Sequence, residues 1–111
     1  MATVTTQEIQ EFVDQIARRF QPDKVILFGS YAYGVPNAES DVDLLVLLST
    51  KERGLSKGIE ILRETAPRFA VDVVVRTPEQ YLQRIGQGDL FLRDIARRGK
   101  ILYDAAYAGV G

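Results

Sequence analysis

Cysteine and histidine are both absent from the 111 residues. Without cysteine there is no disulfide framework, thiol nucleophile, iron–sulfur cluster or cysteine-based zinc site. Without histidine there is no Ser-His-Asp triad and no imidazole ligand for a metal. Chemistry, if there is any, rests on carboxylates, hydroxyls and basic side chains. An excess of charge of one sign is also lacking: 14 Lys and Arg stand against 15 Asp and Glu, a net charge of −1. Bulk electrostatics therefore predicts neither a nucleic-acid coat nor attraction to an anionic membrane, and only a local patch is left for polyanions. Long apolar runs are missing too. The longest, Leu44 to Leu48, falls far short of the ~20 residues of a membrane helix. The N-terminus does not show the basic-then-apolar layout of a signal peptide, so a cytoplasmic location is expected. What is present, 46% apolar and 26% charged residues with 9 Gly and 4 Pro, is the composition of an ordinary globular domain. The length predicts a single core, residues 1–104, with the small-residue stretch 105–111 as a flexible tail.

Along the chain, Thr5 and Glu8 have the spacing of a capping box, and Ile9, Phe12, Val13, Ile16, Ala17 and Phe20 recur behind them at helical steps. Lys24 to Phe28 reads as a strand buried on both faces and ended by Gly29. A turn-rich stretch from Tyr31 to Ser40 precedes a second strand, Asp41 to Leu48. Residues 53–65 predict a helix that carries Leu55, Ile59, Leu62 and Ala66 on one apolar stripe, weakened by Gly54 and Gly58. Phe69 to Val75 reads as a third strand. Thr77-Pro78-Glu79-Gln80 opens a helix through Ile85, Asp89 caps another that ends at Gly99, and Ile101 to Tyr103 closes the series. The fold class is thus α/β, a mixed sheet flanked by helices. The first two strands are expected antiparallel, bringing Gly29-Ser30 to Asp41. The second and third are expected parallel across a helical crossover.

Strand alternation projects Asp41 and Asp43 to one side, with Cα atoms about 6 to 7 Å apart. Their repulsion calls for a cation, and an all-oxygen site suits Mg²⁺ or Mn²⁺. Asp72, alone amid apolar neighbours, costs several kcal/mol if buried unpaired, and beside the second strand it adds a third carboxylate. Three acids can hold two metal ions, an arrangement suited to in-line phosphoryl or nucleotidyl transfer. Gly29 permits close backbone approach, and Ser30 offers a hydroxyl and an N–H to phosphate oxygens. Each feature alone has a plain structural explanation, a turn with a helix cap or a solvated strand end. Together, Gly-Ser, ten residues, then Asp-x-Asp arises by chance in well under roughly one chain in a hundred of this length.

Gly29-Ser30 followed by Asp41-Val42-Asp43-Leu44-Leu45-Val46 resembles the signature of the DNA polymerase β-like nucleotidyltransferases, and the short length resembles their minimal nucleotidyltransferase (MNT) branch. The resemblance runs from the first helix to the closing Ile101-Leu102-Tyr103. It implies the polymerase β-like palm fold, with Gly29 and Ser30 holding nucleotide phosphates. It also implies Asp41 and Asp43 binding two Mg²⁺ ions and Asp72 completing the metal site. Many short MNT proteins resemble antitoxins that pair with an all-helical HEPN toxin and transfer AMP to its tyrosine. The resemblance therefore implies ATP as donor, a HEPN-type partner and a role as its antitoxin; the balanced charge adds the expectation of no direct nucleic-acid contact.

A receiver domain or a haloacid-dehalogenase-like phosphatase carries its acids after its strands, whereas here they precede or enter them. No Gly-Lys-Ser/Thr follows the glycines, which excludes a P-loop. The rival from a different class is a non-catalytic MNT-fold protein that neutralises its partner by occlusion. Transfer to a small molecule is the other alternative, although one core leaves little surface to enclose such an acceptor. Tyr31 and Tyr33 are read as packing against the domain rather than stacking on a base. Arg93, Arg97, Arg98 and Lys100 are read as the solvated face and charged end of a helix. No role falls to Tyr103 or Tyr107.

Overall fold

The structure, a computed structural model, describes residues 3–108. Helix α1 (Thr6–Phe20) opens on the expected capping box: the Glu8 backbone N–H donates to the Thr5 hydroxyl at 3.1 Å, and the Thr5 N–H donates to the Glu8 carboxylate at 3.0 Å. It buries Ile9, Phe12, Val13 and Ile16 and stops at Gln21, in the left-handed region at φ 52°. There follow β1 (Lys24–Phe28), the short α2 (Ser30–Tyr33), β2 (Val42–Leu47), α3 (Gly54–Thr65) and β3 (Val71–Arg76). The chain continues through α4 (Pro78–Gly86), α5 (Leu90–Arg98), β4 (Lys100–Asp104) and α6 (Ala105–Ala108). Asp41 thus lies just before β2 rather than within it. The stretch read as a tail begins with the helical turn α6, and residues 109–111 lie outside the described residues.

The four strands form one mixed sheet in the order β3-β2-β1-β4. Strand β1 runs antiparallel to β2 and β4, while β2 and β3 are parallel across α3, as the placement of the polar residues predicted. Alternation along the central strands feeds two apolar cores. Val25, Leu27, Val42, Leu44 and Val46 meet α1 and Ile61 of α3 on one face. Ile26, Phe28, Leu45 and Leu47 meet Leu92 and Ile95 of α5 on the other. Each fully buried aliphatic or aromatic side chain contributes about 1.5 to 3 kcal/mol, so the layers hold together on both sides of the sheet. No helix among the described residues is long and apolar enough to cross a membrane.

Helix α3 departs from the expected orientation. Leu55 and Ile59 are 79% and 54% exposed and Ala66 is exposed, while Gly58, Ile61 and Thr65 are the buried positions. The inward stripe is offset by one residue, running Gly54-Gly58-Ile61-Thr65. Backbone proximity is the cause. A methyl group at Gly58 would stand 2.9 Å from the Val73 carbonyl oxygen, and one at Gly54 would collide with that of Val75. Only residues without a side chain let the helix lie this close to β3. The buried Thr65 hydroxyl donates to the Ile61 carbonyl at 2.7 Å, so its polarity carries no unpaired cost.

This packing predicts opposite responses along one helix. Ala at Gly54 or Gly58 lowers stability by about 1 to 3 kcal/mol, as overpacking does, despite its better helix propensity. Leu55→Ser changes stability by less than about 0.5 kcal/mol, as expected of a surface position. Urea titrations of the three variants check both statements.

Candidate active site

The register of the sheet places a row of three residues across three strands. Phe28 at the end of β1 faces Asp43 near the start of β2, and Asp43 faces Asp72 near the start of β3. With strands about 4.8 Å apart, the two aspartates are nearest neighbours on one sheet face, shared with Leu45 and Val74. Asp43 is half-buried, and Asp41 and Asp72 are exposed. Asp72 is not buried: β3 is an edge strand and its carboxylate reaches solvent, so the cost that burial would carry does not arise.

Directly after Phe28, Gly29 takes φ 76° and starts the turn into α2, whose Ala32 and Tyr33 N–H groups donate to the Gly29 carbonyl at 3.0 Å. The Asp43 carboxylate rests against the Gly29 backbone, and any Cβ at position 29 would strike it. Gly29 is thus required twice, for its backbone angle and for the space Asp43 occupies. Ser30 follows as the first residue of α2. The structure therefore brings Gly29, Asp43 and Asp72 together with Ser30 alongside, and Asp41 stands close enough for its charge to act on Asp43. Burial first, then the negative charges of Asp72 and Asp41, push the Asp43 carboxyl above the usual carboxylate range.

That repulsion, in a set of hard oxygen donors, is what a divalent cation relieves, and the residues fit Mg²⁺ or Mn²⁺. Among the described residues no three acidic side chains are gathered closely enough to cage an ion unaided. An open set agrees with the habit of Mg²⁺ of keeping waters and phosphate oxygens among its ligands.

The carboxylates open into a cleft of about 430 Å³ whose other walls are largely apolar: Phe28, Phe91 of α5, and Leu55 and Ile59 of α3. Phe91 packs edge-on against Phe28, with ring centroids 5.5 Å apart. These walls are not evident in the sequence, because Leu55 and Ile59 share one helical stripe with Leu62 and Ala66, the usual pattern of a core-facing surface. The signal available was the pair Gly54 and Gly58, spaced to line the inward face themselves. Tyr31 and Tyr33 pack against the domain, the former accepting the Val4 N–H at 3.0 Å and the latter lying under the Arg98 guanidinium at 4.0 Å. The basic segment is engaged locally as well: Arg98 donates to Asp94 at 2.9 and 3.1 Å, and Arg93 to the Ile85 carbonyl at 2.9 Å. The Arg98 hydrogen bonds hold the half-buried Asp94 carboxyl below its usual range.

Since folding raises the pKa of Asp43, its ionisation opposes the metal-free fold. Its contribution to stability declines as pH rises from the unfolded carboxylate value to the raised folded one. Asp43→Asn removes that decline. The melting temperature of the metal-free variant, relative to the unsubstituted protein, should therefore rise between about pH 3 and pH 7 and end equal or higher. Thermal melts across that range in chelator check the sign.

Comparison with known proteins agrees with this geometry. The profile of the nucleotidyltransferase domain family matches residues 9–102. A candidate protein adenylyltransferase of Methanocaldococcus jannaschii is 28% identical over 99 residues, spanning 86% of this chain and 94% of that protein. A crystal structure of a candidate nucleotidyltransferase from Sulfolobus solfataricus superposes with a TM-score of 0.56 at 25% identity, covering 69% of this chain and 70% of that one. A chain from a toxin-antitoxin crystal structure with AMP-PNP superposes with a TM-score of 0.55 at 22% identity, covering 86% and 73%. With a family profile that takes in both the Gly29-Ser30 turn and all three aspartates, the chain belongs to the nucleotidyltransferase domain family.

Proposed function

We propose that this nucleotidyltransferase moves AMP from ATP to a hydroxyl of a partner protein, most simply a tyrosine, with release of pyrophosphate. The observation that carries the reading is the convergence of Asp41 and Asp72 on Asp43, itself seated against Gly29 at the mouth of α2. The name of the M. jannaschii relative supports a protein acceptor and an adenylyl group. The fold also occurs in a toxin-antitoxin complex solved with AMP-PNP. On this reading the chain is the antitoxin of an all-helical, HEPN-type toxin and acts on it.

In the proposed mechanism the Ser30 hydroxyl and the N–H groups of Ser30 and Tyr31, which precede the first bonded N–H of α2 at Ala32, receive the phosphate oxygens of ATP. Asp41, Asp43 and Asp72 would hold a pair of Mg²⁺ ions, which supply charge neutralisation and activation of the attacking hydroxyl. The phenol oxygen forms a bond to the α-phosphorus as the bond from that phosphorus to the bridging oxygen breaks, and pyrophosphate leaves. The phenolic proton passes to a carboxylate of the cluster, Asp72 being directed toward solvent, and from there to water.

Two outcomes are expected. In titration calorimetry ATP binds with Mg²⁺ present and at least about tenfold more weakly in EDTA, because the carboxylates and the triphosphate repel each other without the cation; equal affinity in EDTA refutes the metal role. On co-expression with an all-helical, HEPN-type partner, that partner gains one or more AMP units by intact mass. Asp43→Asn reduces this on the order of 100-fold, equivalent to about 3 kcal/mol of transition-state stabilisation. A partner that is bound and inhibited yet unmodified supports occlusion instead, and efficient modification of a small molecule refutes the protein acceptor.

A further inference from the structure

We infer that the outer face of α3, with Leu55 and Ile59 backed by Phe91, is the acceptor subsite. It is where the partner seats an apolar helical segment beside its reactive tyrosine and directs a carboxylate to Arg63. The inference rests on the transfer reading above and adds to it the side from which the acceptor enters.

The direction follows from the order of the strands. In-line displacement places the attacking oxygen and the leaving pyrophosphate on opposite sides of the α-phosphorus. Gly29 and Ser30 follow β1, Asp72 belongs to β3, and Asp43 on β2 lies between them. Phosphates held at Ser30 put the leaving group on the β1 side. The attacking hydroxyl then enters from the β3 side, where Leu55 and Ile59 share with Asp43 and Asp72 a cleft that Phe28 and Phe91 wall toward β1.

The chemistry of that side specifies its occupant. Leu55, Ile59 and Phe91 are 79%, 54% and 50% exposed, so a contiguous apolar surface borders the acids. A phenol ring packs on such walls while its hydroxyl reaches the carboxylates. Leu55, Ile59 and Arg63 lie at four-residue steps and so share one stripe of α3. Arg63 is exposed and makes no ion pair with a carboxylate among the described residues. The partner's segment is thus apolar next to its tyrosine, where Asp43 and Asp72 repel acids, and acidic about one turn further on, where Arg63 attracts them.

The probe is a synthetic helical peptide carrying one tyrosine, leucines at neighbouring helical steps and a glutamate one turn beyond. It is titrated into the full chain with Mg²⁺ and the α,β-methylene analogue of ATP, which binds without transferring. Amide and methyl NMR should show the nucleotide acting on Gly29, Ser30 and Asp43, and the peptide acting on the Leu55 and Ile59 methyls. Combining Leu55→Glu with Ile59→Glu should weaken the peptide at least tenfold while nucleotide affinity stays within twofold. Replacing the peptide glutamate by lysine should weaken binding about fivefold, and Arg63→Glu should restore it. Peptide effects confined to other surfaces, or no binding at millimolar peptide with the nucleotide response intact, overturn the acceptor subsite and leave the transfer reading standing. Absence of a nucleotide response at Gly29, Ser30 and Asp43 overturns the transfer reading itself, and this inference with it.

Discussion

The contact on which the rest depends is that of the Asp43 carboxylate with the bare backbone of Gly29. It brings a half-buried charge to the junction of β1 and β2, where two further carboxylates raise its free energy. What keeps it there is the sheet. Strands β1 and β2 are buried on both faces, so their register is fixed by two apolar cores at once. A slip of one residue would turn Asp43 into the core beneath α1 and bring Leu44 into the cleft. The packing energy of residues remote from the chemistry thus holds together charges that repel one another, a local cost that a bound cation would relieve.

Much of this was legible in the sequence because the signals were local. The capping boxes at Thr5 and Thr77 and the cap at Asp89 are hydrogen bonds between residues three apart, and each is present where its spacing placed it. The directions of β1, β2 and β3 followed from where Gly29, Asp41 and Asp72 sit relative to their strands. The seating of Asp43 against Gly29 adds the spatial reason why those two residue types accompany each other.

The exposure of Asp72 was not legible, because Val-rich strands look alike whether they are central or at an edge, and strand order is a tertiary property. The face of α3 was obscured for a related reason. Apolar periodicity assumes that burial is driven by side-chain area, whereas this helix is positioned by the closeness of two backbones, which favours Gly54 and Gly58 over Leu55 and Ile59. Each misreading concerns the margin of the sheet at β3, where no further strand supplies the neighbour that a local pattern takes for granted.

That margin also bears on the docking proposed for a partner protein. The carbonyls of Ala70 and Arg76 accept from Val42 and Leu48, so by alternation the backbone groups of Val71, Val73 and Val75 point away from β2. An open edge of this kind invites an added strand. Here Gly54 and Gly58 bring α3 against the Val75 and Val73 carbonyls, which closes that part of the edge to strand addition. Recognition on the β3 side is left to side chains. The rotation of α3 that seats its glycines on the strand also turns Leu55 and Ile59 outward beside Asp72. Protection of the edge and presentation of an apolar surface at the cleft are therefore consequences of one packing arrangement, set by two glycines four residues apart.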